Sequence, residues 1–105
     1  MLGDLMNRIE GAKLEAQEKL KRMVISKSDL NGWVKVEVSG LRQILDISIS
    51  KELIDKGEPE LVEDVMTNVL NDAFTEAADR EREVMEDVAK EVMPGGLGGL
   101  KGLFG

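Results

Sequence analysis

Residues 31–49 read Asn31-Gly32-Trp33-Val34-Lys35-Val36-Glu37-Val38-Ser39-Gly40-Leu41-Arg42-Gln43-Ile44-Leu45-Asp46-Ile47-Ser48-Ile49. Their period is two. Val34, Val36 and Val38 alternate with Trp33, Lys35, Glu37 and Ser39, the pattern of a strand with one buried face. Leu45, Ile47 and Ile49 alternate in the same way with Asp46 and Ser48. Pairing Ser39 with Arg42 around a Gly40-Leu41 turn sets Val36 opposite Leu45 and Val34 opposite Ile47, so both apolar sets share a face. Glycine at the first central position suits a type II′ hairpin. A further strand is expected over about Val24 to Lys27, with Asn31-Gly32 in the turn that leads to Trp33.

On either side of this hairpin the period becomes helical. Leu2, Leu5, Met6, Ile9, Ala12, Ala16, Leu20 and Met23 recur at three- and four-residue steps and form one apolar stripe. The other faces carry charge, including the helix-spaced pairs Glu15/Lys19 and Glu18/Arg22. Asp4 suits the positive end of the helix dipole, and Lys19, Lys21 and Arg22 suit the negative end without any ligand. Beyond the hairpin, Glu58-Pro59 opens a second helix. Apolar pairs recur at 61/62, 65/66, 69/70, 73/74 and 77/78, then at 84/85, 88/89 and 92/93. The interruption at Glu81 predicts a kink or a change of packing partner within Asp79 to Arg82. Pro94 and the following glycines end the helix. The expected organisation is a single helix–sheet–helix domain over 1–93 and a flexible glycine-rich tail over 94–105, whose sequence does not fit a phosphate loop.

The composition narrows the chemistry. Among 105 residues there is no cysteine and no histidine, which removes disulfides, thiol nucleophiles, histidine relays and the usual zinc sites. The carboxylates interleave with exposed helix positions, as solvating groups do, so neither an enzyme nor a metal site is expected, and no cofactor or small-molecule substrate is assigned. No apolar run is long enough for a membrane span, and no cleavable leader is evident, so the chain is expected in the cytoplasm. The net charge of -7 is unevenly distributed: residues 1–50 carry eight basic and seven acidic side chains, residues 51–105 six and fourteen. An anionic partner would therefore meet Arg8, Lys13, Lys19, Lys21, Arg22 and Lys27, joined by Arg80 and Arg82 of the second helix. On composition alone this set reads as a solvated helix face; as a nucleic-acid surface it would contact phosphates rather than bases, since no base-reading signature accompanies it.

Element lengths argue for a partner copy. The two helices span about 30 and 50 Å at about 1.5 Å per residue, whereas a 100-residue globule has a radius of gyration of about 13 Å. The long helix must overhang, and a three-stranded sheet leaves two open edges. A symmetric homodimer resolves both, with a hetero-partner as the alternative.

In this order of elements the segment from Asn31 to Gly40 resembles the G-x-V-K-V-x-x-x-G hairpin of the YbaB/EbfC nucleoid-associated proteins. Leu70-Asn71-Asp72-Ala73, Ala77-Ala78 and Met93-Pro94-Gly95-Gly96 are similar as well, and the likeness covers essentially the whole chain. Trp33, and Lys27 to Leu30 in place of a glycine-richer turn, depart from the pattern. The resemblance implies an α+β fold: a long N-terminal helix, a three-stranded antiparallel sheet and a long C-terminal helix, dimerising through the sheets with projecting helical arms. It implies sequence-tolerant binding to double-stranded DNA, a place in the nucleoid and effects on gene expression. The arm residues Arg8, Lys13, Lys19, Arg22, Arg80 and Arg82 are then the DNA contacts, and the sheet face of Val34, Val36, Val38, Leu45 and Ile47 the dimer interface. The second reading is an acidic adaptor for replication or repair machinery that binds DNA weakly or not at all.

Overall fold

Six elements follow one another: α1 (Leu2–Arg22), β1 (Val24–Ser28), β2 (Val34–Ser39), β3 (Ile44–Ile49), α2 (Lys51–Asp55) and α3 (Pro59–Val92). This computed structural model describes residues 2–92, and the expected tail lies outside the described residues. The strands form one antiparallel sheet in the order β1-β2-β3. The long N-terminal helix, the sheet and the long C-terminal helix are thus those expected from the periodicities. The molecule is elongated, 64 × 27 × 16 Å with a radius of gyration of 19.6 Å.

The β1–β2 connection is built around Asp29. Its carboxylate accepts hydrogen bonds from the backbone N–H groups of Val34 (2.8 Å) and Asn31 (3.1 Å), and Gly32 supplies the left-handed conformation at φ 69°. These bonds, Val34 first, hold the Asp29 carboxyl below the usual carboxylate range.

The β2–β3 turn differs from expectation. Arg42 N–H donates to the Ser39 carbonyl (3.0 Å) and Ser39 N–H to the Gln43 carbonyl (2.8 Å). Arg42 stands at φ 63°, so the loop has three residues and ends in a left-handed one, with no type II′ turn. The observed pairing sets Val34 against Ile49, Val36 against Ile47 and Val38 against Ile44. A bulge there leaves Leu45 as the extra residue between Asp46, the partner of Glu37, and Ile44, the partner of Val38. The register is therefore displaced by two residues from the predicted one, which keeps the same faces together. Buried Ser39 fixes the turn from within, its hydroxyl accepting from the N–H groups of Leu41 and Gln43, each at 3.2 Å.

α3 crosses β1 and β2 and closes the main core, in which Ile25, Val34, Val36, Val38, Leu53, Val69, Ala73 and Ala77 are buried. Val34, Val36 and Val38 have no exposed surface (0%), so they are core residues and not the dimer contacts expected of them. α2 is an addition to the expected elements. Ser50 caps it, its hydroxyl accepting from Leu53 N–H at 3.2 Å, and Leu53 is buried beneath it. Half-buried Trp33 packs on the core and carries the Lys56 ammonium 5.2 Å from its ring centroid.

Past Ala77, α3 leaves the sheet and packs against α1, where Ala16, Leu20 and Val84 form a second, smaller cluster. The helix runs unbroken through Asp79 to Arg82, so the expected disturbance is a change of partner without a break. Glu81 lies on the packed side of the stripe because it meets Arg42, whose Nη1 is 2.9 Å from Glu81 Oε2.

Candidate nucleic-acid interface

The projecting arm consists of α1 and the outer part of α3, apposed through their small and aliphatic residues. Packing an apolar stripe against α3 turns the charged positions of α1 outward, and Arg8, Lys13, Lys19, Lys21 and Arg22 are all exposed. Among the described residues none of these five is paired with a carboxylate. The predicted pairs Glu15/Lys19 and Glu18/Arg22 do not form, and Arg22 Nε instead donates to the Glu18 carbonyl at 3.3 Å.

The remaining predicted cations are engaged. Lys27 Nζ lies 2.8 Å from Glu76 Oε1, Arg80 Nη1 3.4 Å from Glu83 Oε2, and Arg82 Nη2 2.6 Å from Asp79 Oδ1. The hydrogen bond from Lys27 holds the Glu76 carboxyl below its ordinary value, and the same bond raises the Lys27 ammonium.

Position along the helices sorts the cations by side. At about 100° per residue, Glu76, Arg80, Glu83, Asp87 and Glu91 fall on one flank of α3, the flank that faces β1 through Glu76. A groove of about 310 Å³ between the helices is lined on this side by Lys19, Arg22, Val84, Asp87 and Glu91. It continues past Arg8, Glu15 and Val92. Arg8, Lys19 and Arg22 thus share one edge of the molecule with Arg80 and Lys27, and this edge alternates in sign with the acids named. Lys13 and Lys21 lie on other faces of α1. Arg82 lies across α3 from Arg80 and is not brought to the same edge.

A second surface lies beside the core. α3 does not cover β3, and Ile44, Leu45 and Ile47 are 49%, 49% and 38% exposed. Ile47 faces the α3 side by its pairing with Val36, and Ile44 by its pairing with Val38. Two residues before Ile47, Leu45 joins them by alternation. The flank of α3 that carries Glu81 toward Arg42 also carries Leu70, Phe74 and Ala78, so the open aliphatic strip borders a largely apolar helix flank. The opposite face of the sheet is polar, with Lys35 paired to Glu37 at 3.3 Å and Ser48 bonded to Asp46 at 3.2 Å. Sequence reasoning names Leu45 and Ile47 but misses Ile44, which the bulge brings to the same side.

Among the described residues no helix is long and apolar enough to cross a membrane. Residues 2–92 match the sequence model of the YbaB/EbfC DNA-binding family. A nucleoid-associated protein of Chloroflexus aurantiacus is 31% identical over 90 residues, covering 86% of this chain and 82% of that protein. One of Acetivibrio thermocellus is 33% identical over 88 residues, covering 84% of this chain and 74% of that protein. The fold is similar to the crystal structure of an uncharacterized Helicobacter pylori protein, HP0035, with a TM-score of 0.74 at 21% identity over 80% of this chain and 88% of that one.

Proposed function

Because the chain belongs to the YbaB/EbfC DNA-binding family, whose members are nucleoid-associated proteins and not enzymes, we propose that it is a bacterial nucleoid protein that grips duplex DNA by its phosphates. Binding has little preference for base sequence, and its consequences are nucleoid organisation and altered gene expression. The observation that carries this reading is the state of the cations. Arg8, Lys13, Lys19, Lys21 and Arg22 are exposed on one helix without carboxylate partners among the described residues, whereas Lys27, Arg80 and Arg82 are held by acids. Cations of this kind neutralise phosphates and release counterions. Arg80 and Arg82 contribute less than α1, and Lys27 least.

The protein acts as a homodimer. The exposed Ile44, Leu45 and Ile47 and the neighbouring flank of α3 form an aliphatic surface of the type that a symmetric pair buries. Each α1 is then present twice at a fixed separation, and two weak phosphate grips act on one duplex. The acids interleaved with Arg8, Lys19 and Arg22 favour moderate affinity and rapid exchange over tight residence.

The second reading, an acidic adaptor for replication or repair proteins, draws on the net charge of -7 and on the shallow depression of about 410 Å³ lined by Ile54, Pro59, Val62 and Glu63. A salt titration against two unrelated duplexes, with mass measured in the same buffers, separates the two. Equal affinities that fall linearly with salt on logarithmic axes, in a dimer, support the DNA reading. No binding at low salt by an intact dimer overturns it in favour of the adaptor.

A further inference from the structure

The β2–β3 turn touches both helices where they leave the sheet. On one side, Gly40 N–H donates to the Leu20 carbonyl at 2.9 Å. Leu20 lies in the last turns of α1, where carbonyls lack helical partners, and the same oxygen also accepts from Met23 N–H at 3.2 Å. The approach is closer than any side chain allows. A Cβ on Gly40 would stand 2.7 Å from the Leu20 carbonyl oxygen, 2.9 Å from Leu20 Cδ2 and 3.1 Å from Leu20 Cα. Gly40 does not have a positive φ, so glycine is required there for space and not for backbone conformation.

On the other side, Arg42 reaches α3. Its guanidinium stands 2.9 Å from Glu81 Oε2, an oxygen closed off from solvent that takes no well-directed hydrogen bond, so charge holds the contact. Arg42 is also the one residue other than glycine with a positive φ among the described residues, an uncommon conformation for a long side chain. Between these two contacts Leu41 packs on the cluster of Ala16, Leu20 and Val84. The turn is a wedge at the base of the arm.

We propose that this turn is the fulcrum of the arm: Gly40 and the Arg42–Glu81 pair set the angle at which α1 and outer α3 leave the sheet. Only Met23 separates α1 from β1, so α1 cannot slide away from a side chain placed at position 40; it must tilt. The 18 residue steps from Leu20 back to Leu2 span about 27 Å, which turns a small displacement at the base into a larger one at the tip. Gly40 and Arg42 are therefore positioning residues, acting on DNA through the cations of α1. That consequence rests on the function proposed above; the geometric claim does not.

The chain contains no cysteine, so spin labels can be placed at will. Leu14→Cys on exposed α1 and Ser48→Cys on exposed β3 report the distance from arm to sheet, measured with labelled chain diluted into unlabelled chain. Gly40→Ala and Arg42→Gln are each combined with this pair. Gly11→Ala serves as the control, because a Cβ there meets nothing within 4 Å. Gly40→Ala and Arg42→Gln are expected to shift or broaden the distance distribution, with dimer mass retained and affinity for a mixed-sequence duplex reduced about three- to tenfold. Gly11→Ala is expected to change neither. Arg42→Gln removes the charge of the pair while adding no bulk at the Gly40–Leu20 contact, and so keeps the test decisive if Gly40→Ala does not fold. Parental distance distributions in the folded variants overturn the proposal. A changed distance with unchanged DNA affinity supports the fulcrum and counts instead against α1 as the DNA-binding surface.

Discussion

Lys27 and Glu76 join the edge strand to the long helix, with Nζ and Oε1 2.8 Å apart. Each of these groups shifts the titration of the other toward the charged form. The cation is thereby spent within the fold, although it lies at the same edge as Arg22 and Lys19. Lys27→Gln is expected to leave DNA affinity within about twofold of the parent, since a screened, paired charge contributes little to an outside partner. Binding titrations at two salt concentrations check this, and a larger drop would return Lys27 to the interface.

The unpaired cations of α1 carry the opposite expectation. Reversal of two of them, in Lys19→Glu with Arg22→Glu, places four negative charges along the arms of a dimer where four positive ones stood. Affinity is expected to fall by at least about tenfold, and the slope of log affinity against log salt by about 0.9 for each phosphate that is no longer neutralised. Far-UV circular dichroism should remain that of the parent, because neither side chain packs in a core. Unchanged affinity would remove this edge from the DNA surface.

Core and open surface of the sheet respond differently to substitution. Val36→Ala, at a site with no exposure, is expected to cost about 2–3 kcal/mol on unfolding while the folded protein keeps its mass. Ile47→Glu, directly across the pair from Val36 but on the uncovered strand, is expected to yield folded monomer. Analytical ultracentrifugation distinguishes the two. A monomer produced by Val36→Ala with Ile47→Glu still dimeric would place the interface elsewhere.

Asp29 predicts a pH dependence. Its carboxyl is held below the usual range chiefly by the Val34 N–H, so its contribution is fully present above about pH 4 and is lost as pH falls through the lowered folded value. Asp29→Asn removes the charge but keeps one acceptor, at a cost of about 1 kcal/mol near neutrality for a part-buried charge-assisted bond. Urea unfolding at fixed protein concentration should show this difference at pH 7 and a smaller one at pH 3. A gap that persists at pH 3 would assign the effect to packing.

Among the described residues Ser39 is the one buried polar side chain, and its hydroxyl serves two amide groups of the turn. Ser39→Ala leaves both N–H groups short of their acceptor and is expected to lower stability by about 1–3 kcal/mol. Thermal unfolding checks the value. A decrease of a few tenths would show that water reaches the turn.

The strands and both long helices are legible in the sequence because each has a burial period longer than its irregularities. Val34, Val36 and Val38 alternate without exception, and the α1 stripe persists over several turns. The β3 register is not legible, for two reasons rooted in particular residues. Gly40 reads as a turn former, whereas it is there to admit the Leu20 carbonyl. Ile44 and Leu45 are both aliphatic, so either phase of alternation looks acceptable and the bulge is hidden. α2 has five residues, too few to show a helical period, although Ser50 three residues before Leu53 is a capping signal. The arm cations are legible as a set, but their division into paired and unpaired is not. That division depends on partners such as Glu76, brought to Lys27 from 49 positions away only by the fold. Glu81 looks like a defect in a stripe for the same reason, its partner Arg42 lying in another element.

The split of α3 between two partners has a consequence for synthesis. Within the described residues α1 leaves the ribosome before the other elements, yet the α3 residues that cover its stripe, Val84 and Val88, follow more than 60 positions later. At about 5–20 residues per second, Ala16 and Leu20 wait several seconds for their α3 partners while the sheet and inner α3 can already assemble. The nascent chain therefore presents a completed body and an uncovered leading helix, an intermediate that a chaperone or a second nascent chain would meet before the arm has closed.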